Sequence, residues 1–228
     1  MVADYSDQTD IFDPAKFAWP VHMIGLGGIG SATVLPLVKL GLRSTLHLWD
    51  NDEVEPRNIP AQLIYRPSDV GKPKVQAAID ILSGYIEAPT ELQGHTEFVT
   101  ATTDLSGVVI SGVDSMSARN DIWQAVKWNP EVPLLLDGRI GGEQLTLLAL
   151  SPSDPEAIEY YEELWLFPDE EGAELPCAAR TVIHPVVVLA GCIVAQLTRF
   201  ARGLPPTQYI DVHTKTTDVI VQPTPNFP

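Results

Sequence analysis

Val21-His22-Met23-Ile24-Gly25-Leu26-Gly27-Gly28-Ile29-Gly30-Ser31 runs from a short apolar stretch straight into a glycine loop, and its reading decides the fold. The first four residues have buried-strand character and end at Gly25. Residues 32–40 then carry Val34, Leu37 and Val38 at helical spacing until Gly41 stops them. Gly25, Gly27 and Gly30 stand at the spacing of a dinucleotide-binding turn, with Gly28 beside them. Glycines let backbone approach a phosphate-bearing ligand, and the amides that open the helix favour negative charge. Residues 45–49 form a second strand ending at Asp50, twenty positions after Gly30, where a carboxylate can accept ribose hydroxyls.

Working outward, residues 74–83 place Val75, Ala78, Ile79 and Leu82 on one helical face. A weak strand is expected over 97–100 and a stronger one over 107–111, ending at Gly112-Val113-Asp114. A helix over 117–127, a strand over 133–137 and another over 144–149, joined through Gly141-Gly142, follow. This alternation predicts an α/β fold: a Rossmann-like, doubly wound, mostly parallel sheet with added antiparallel strands at the C-terminal side. Residues 1–20 read as an N-terminal arm and 21–228 as one domain. Within it come an acidic loop over 151–176 with a helix over 155–166, an apolar helix over 185–202, and an edge strand over 209–221. A proline-rich tail, 222–228, closes the chain.

The 228 residues suit one domain with a full core. Thirty acidic residues against 14 Lys and Arg leave a net charge of −16, which disfavours nucleic acid and anionic membrane surfaces as partners. A 45% hydrophobic content is too high for a disordered acidic tail. Two cysteines, Cys177 and Cys192, make neither a disulfide framework nor a four-thiolate zinc site. The start has no secretory pattern, and the apolar run over 182–197, broken by His184, Pro185 and Gln196, falls short of a span of about 20 residues. A cytoplasmic protein is expected.

The glycine loop by itself reads as an NAD(P) dehydrogenase, and its neighbours argue against that. Asp50 and Asp52 put two carboxylates near the ribose region; Asn58 and Gln62 follow; Lys74 opens the next helix and Asp114 ends a later strand. In this topology all converge on the carboxyl edge of the sheet. A lysine facing a carboxylate across a phosphate site suits ATP with Mg²⁺, and hydride transfer needs neither. An NAD(P)-dependent reductase is the alternative within the same fold.

In this ordered combination the chain resembles the E1-like adenylyltransferases, the ThiF/MoeB/HesA group. The matching stretches are the loop at 25–31, Asp50-Asn51-Asp52-Glu53-Val54, Asn58 with Gln62, Val70-Gly71-Lys72-Pro73-Lys74, and Val113-Asp114 with Arg119. Pro176-Cys177 before a helix with Leu189-Ala190-Gly191 completes the set. The resemblance covers roughly residues 20–200. It implies ATP- and Mg²⁺-dependent adenylation of the C-terminal glycine of a small ubiquitin-like or sulfur-carrier protein, by an enzyme that works as a homodimer and can hand on to an E2-like protein. Carried over, the glycine loop holds phosphates, Asp50 the ribose, Lys74 meets phosphate charge and Asp114 ligates Mg²⁺. Cys177 is the thioester or persulfide candidate. The chain departs from the pattern at Ala61, where the family has arginine, and in residues 1–20, which hold Lys16 but no arginine. Arg57, Arg66 and Arg139 are the candidates to compensate. The paired CxxC motifs of many relatives are missing too, so no structural zinc is expected.

Plainer readings stand beside these. Cys177 is either an acyl- or sulfur-accepting thiol or a structural loop cysteine. Cys192, among small and apolar residues, reads as core. His184 reads as a cap or packing residue rather than a base, and His22 and His47 as structural. The acidic run over 154–174 is a solvated face or a dock for a basic carrier tail. Asp137 and Arg139 are site residues or a salt-bridged turn. The two departures keep open a non-catalytic, nucleotide-binding docking subunit.

Overall fold

The computed structural model describes residues 3–86, 90–168 and 182–222. Five parallel strands form its centre: β1 (Val21–Ile24), β2 (Thr45–Trp49), β3 (Glu91–His95), β4 (Val108–Ser111) and β5 (Leu134–Gly141). Three antiparallel strands extend it: β6 (Gln144–Leu150), β7 (Tyr209–His213) and β8 (Asp218–Gln222). The order is β3-β2-β1-β4-β5-β6-β7-β8. Chain direction through the sheet therefore reverses between β1 and β4, which opens a crevice at their carboxyl ends.

Helices cover both faces because β1 and β4 are buried on both sides. On one face α1 (Gly28–Lys39), α2 (Lys74–Leu82) and α5 (Ile183–Ala201) bury Val34, Leu37, Val75, Leu82, Leu189 and Ile193 against the sheet. On the other, α3 (Met116–Val126) and α4 (Pro155–Leu164) pack Trp123 and Tyr161, whose rings lie 4.6 Å apart. Ser115 caps α3 by accepting from the amide of Ala118, and Asp154 caps α4 through that of Glu156.

Several expectations are corrected. The third strand is Glu91–His95, not 97–100, and it pairs with β2 so that Leu46 faces Leu92. Residues 209–221 form a hairpin of two strands, β7 and β8, rather than one edge strand. The helix placed at 185–202 begins earlier, at Ile183. At 19 residues it is long and apolar enough to cross a membrane, yet its buried face packs on α1 and on β5 and β6. The N-terminal segment, read as an arm, lies on the body. Phe12 and Phe17 join the core, and Gln8 Nε2 donates to the carbonyl of Leu40 at 2.8 Å.

Candidate functional site

The crevice at the β1/β4 switch is a cleft of about 1140 Å³. It is lined by most of the residues singled out from sequence: Gly25, Gly27, Gly28, Asp50, Asp52, Asn58, Gln62, Lys74 and Asp114. Gly30 stands behind them, where α1 begins.

The loop can be built only with glycine at two of these places. Gly25 has φ +87°, and a Cβ there would lie 2.9 Å from the carbonyl oxygen of Gly112 at the end of β4. A Cβ on Gly30 would lie 1.9 Å from the oxygen of Gly25, so the loop could not close. Gly27 differs. A Cβ there meets nothing nearer than Gln62 Nε2 at 4.0 Å, so its surface is open to a ligand. The amide of Ser31 already bonds the carbonyl of Gly27, and the Ser31 hydroxyl ties the helix start to the amide of Leu63.

Asp50 ends β2 and is tied to this loop. Its Oδ2 accepts from the amide of Leu26 at 2.7 Å and its Oδ1 from that of Asp52 at 2.8 Å. Lys74 Nζ lies 3.5 Å from Asp50 Oδ1 and 2.8 Å from Asp52 Oδ2. Burial pushes the Asp50 carboxyl above the usual carboxylate range, and the Lys74 ammonium opposes that shift. Behind them the Tyr65 hydroxyl donates to the carbonyls of Leu26 and Lys74. Asn58 Oδ1 accepts from the amide of Glu55 and so shapes the loop before Gln62. Gln62 is buried, and its Oε1 has no partner among the described residues. A buried orphan acceptor on a cleft wall is a place for a ligand donor.

Asp114 follows β4, is exposed, and faces the cleft. Its turn is held by Arg119, whose Nη2 donates to the carbonyls of Val113 and Gly138 and whose Nη1 donates to Asp137 Oδ1 at 3.0 Å. Asp137 is wholly buried and also accepts from Arg139 Nε at 2.8 Å and from the Tyr161 hydroxyl at 3.0 Å. Burial alone would raise its pKa; Arg119 first, then Arg139, hold it below the usual carboxylate range instead. This cluster is what the sequence reading left undecided. Asp137 and Arg139 are a salt-bridged pair, and Arg119 and Arg139 also line the cleft. Of the other compensating candidates, Arg57 lines the cleft and pairs with Glu55, whereas Arg66 pairs with Asp69 away from it.

Three histidines from adjacent strands were read as structural, or in the case of His95 overlooked. The rings of His22 and His47 stack at 4.2 Å, His47 Nδ1 meets His95 Nε2 at 3.1 Å, and Trp49 Nε1 donates to His22 Nδ1. Burial, then its histidine neighbours, pull His22 down to about 3. His184 bonds the hydroxyl of Thr214. Cys192 is partly buried, and burial raises its thiol pKa. Cys177 and the last part of the acidic run, 169–174, fall outside the described residues.

Could this cleft hold Mg²⁺ with ATP? Mg²⁺ is typically bound through one or two carboxylates plus substrate phosphates and water, so a dedicated cage is not required. No group of three or more metal-binding side chains occurs among the described residues, and exposed Asp114 beside the cleft fits the lighter requirement.

A doubly wound sheet with a glycine turn, an acidic strand end and a buried lysine at its switch point defines a nucleotide-binding α/β enzyme. Residues 17–220 match the sequence model of the ThiF family, and the chain belongs to that family. It is 30% identical over 188 residues to the sulfur carrier protein ThiS adenylyltransferase of Escherichia coli K12, covering 77% of this chain and 68% of that protein. It is 29% identical over 140 residues to the molybdopterin-synthase adenylyltransferase of Salmonella typhimurium, covering 59% and 55%. Among solved structures, PaaA superposes with a TM-score of 0.73 at 19% identity, covering 94% of this chain and 75% of that one. E. coli MccB with ATP gives 0.71 at 17%, covering 92% and 65%. The enzyme class is thus a ThiF-type adenylyltransferase.

Proposed function

We propose that the cleft binds ATP with Mg²⁺ and adenylates the C-terminal glycine of a small ubiquitin-like or sulfur-carrier protein. The observation that carries this reading is Lys74, buried and ion-paired to Asp50 and Asp52 in the same cleft that the open surface of Gly27 lines. Hydride transfer gives such a lysine no task, whereas phosphate charge does. The names of the curated relatives support the substrate class: one acts on the sulfur carrier ThiS, and another activates a ubiquitin-like modifier.

The loop amides and the start of α1 receive phosphate oxygens. Asp50 accepts from the ribose, and Lys74 turns from Asp52 toward the phosphates. Asp114 is the residue that would hold Mg²⁺, which neutralises phosphate charge when bound. The carrier's carboxylate attacks the α-phosphorus. One acyl–oxygen–phosphorus bond forms, the bond to the β-phosphate oxygen breaks, and pyrophosphate leaves. No general base is needed because the nucleophile is already ionised. The Cys177 thiolate then attacks the acyl adenylate, forming a thioester as the acyl–oxygen bond breaks and AMP leaves. In the sulfur-transfer variant a separate persulfide donor first passes its sulfane sulfur to Cys177, and the terminal sulfur of that persulfide makes the same attack. On this reading the protein is a cytoplasmic homodimer, with an E2-like protein as a further partner. Exposed Val187 and Val188 on α5 offer an apolar face for the second copy.

ATP–pyrophosphate exchange with a carrier tests the first step. Wild type should exchange, and Lys74→Ala and Asp114→Ala should not; exchange that survives both removes these roles. A thiol-sensitive conjugate should vanish in Cys177→Ala while exchange persists. The missing positive charge at Ala61 favours a second reading, a docking subunit. It would bind ATP tightly and exchange only when a partner subunit is added.

A further inference from the structure

The two ends of the cleft differ in the charge they bury. At the glycine-loop end, Asp50 and Asp52 face one ammonium, Lys74. At the β5 end, the buried Arg119 and Arg139 share one buried carboxylate, Asp137, while Asp114, on the turn that Arg119 holds, is exposed at the cleft. Both guanidiniums are largely buried, with side chains 7% and 14% exposed. Tyr161 cannot balance them, because burial and then Asp137 push its phenol far above the usual range and keep it neutral. An uncompensated buried cation is costly, and the open side of this cluster is the cleft.

Arg139 is the member built to meet a ligand. Asp137 fixes its Nε, and the carbonyl of Trp165 accepts from Nη2 at 2.9 Å. Nη1 donates to no described residue. The rings of Tyr161, Trp165 and Phe167 surround the guanidinium at 5.9, 5.4 and 6.0 Å. Trp165, Phe167 and Tyr209 also line the cleft, so the approach to this cation is aromatic. A triphosphate, with several charges, is served at the other end by loop amides and Lys74. A single carboxylate at the end of an uncharged, side-chain-poor segment suits the aromatic end.

We propose that Arg139 recognises the terminal carboxylate of the carrier's glycine tail, and that Trp165 and Phe167 flank the last residues of that tail. The carboxylate is thereby held at the end of the cleft opposite Asp50, facing the α-phosphate. This rests on the adenylation reading and assigns its acceptor subsite to a residue that no sequence pattern singled out for that task.

The test uses the full chain saturated with a non-hydrolysable ATP analogue and Mg²⁺. A short labelled peptide ending in Gly-Gly with a free carboxylate is compared with its C-terminal amide by fluorescence anisotropy, and nucleotide affinity is measured separately. Wild type should prefer the carboxylate by about tenfold or more, the size of a charge-assisted hydrogen bond. Arg139→Gln should erase that preference and leave nucleotide affinity within about twofold; Arg139→Lys should keep part of it. Phe167→Ala, which leaves the buried ion pairs in place, should weaken both peptides equally. A wild type without preference, an Arg139→Gln protein that keeps it, or one that loses nucleotide affinity instead would overturn the assignment. Failure of the adenylation reading shows separately, as a wild type that binds no ATP.

Discussion

Lys74 is joined to Asp52 twice: its Nζ lies 2.8 Å from Asp52 Oδ2, and its backbone amide bonds the carbonyl of Asp52 at 2.9 Å. The loop after β2 is thereby fastened to the first residue of α2. The ammonium is held at the cleft before any ligand arrives, so little reorganisation is needed when phosphate replaces Asp52.

Lys74→Met should lower exchange by about 10² to 10³, the usual effect of losing one preorganised donor to a transition-state charge. Lys74→Arg should retain more activity than Lys74→Met. Steady-state exchange rates check this, with far-UV circular dichroism to show that the fold is kept. A Lys74→Met protein within threefold of wild type would remove the lysine from the chemistry.

Asp137→Ala leaves two buried guanidiniums facing each other and should cost about 3–5 kcal/mol of stability. Asp137→Asn keeps hydrogen-bond acceptance and should cost less. Urea unfolding measures both. A cost below about 1 kcal/mol for the alanine variant would mean that water or rearrangement already compensates the cluster.

Two glycine substitutions should separate folding from binding. Gly30→Ala puts a methyl 1.9 Å from the oxygen of Gly25 and should prevent the loop from closing, with a steep loss of melting temperature. Gly27→Ala has room in the fold, so melting should change little while ATP affinity falls about tenfold as the methyl occupies ligand space. Calorimetric titration and thermal melts distinguish them. Equal effects at both positions would contradict the closed loop described here.

Acid should unfold this protein early, and His22 is one reason. Its folded-state pKa is depressed to about 3 from 6.5, so the unfolded chain takes up a proton more readily than the folded one. Its contribution to stability is complete above pH 6.5 and is lost as pH falls from there toward 3. His47, also depressed, first by burial and then by His95, adds to the same slope. His22→Gln should flatten the decline in urea-derived stability between pH 6.5 and 4.5. An unchanged slope would place the proton uptake elsewhere.

The third strand shows why periodicity missed one element. Phe98 and Val99 drew the sequence reading to 97–100, yet Phe98 is 67% exposed. The true strand, Glu-Leu-Gln-Gly-His, has little apolar content because it is an edge strand paired only with β2, and none of its residues is fully buried. A Cβ on Gly94 would lie 2.4 Å from Val75 Cγ1, so glycine there admits the helix, a demand invisible without α2 in place. The acidic and basic residues of the glycine-loop end were legible because each stands at a strand end or helix start whose position follows from local pattern. The β5 end was not. Arg119 and Asp137 are 18 residues apart and Tyr161 another 24 along, and no spacing rule brings them together.

By itself the sequence determined the doubly wound sheet, the glycine loop and the presence of Asp50, Lys74 and Asp114 at the same cleft, since strand, turn and helix signals act over a few residues and the crossover hand is nearly invariant. Only the tertiary structure decided that the N-terminal segment lends Phe12 and Phe17 to the core, that Lys74 rests on two carboxylates, and that the far wall is a buried arginine cluster ringed by aromatics. Those features depend on which distant surfaces exclude water together. Burial sets the strength of each charge–charge contact, and burial is a property of the assembled fold.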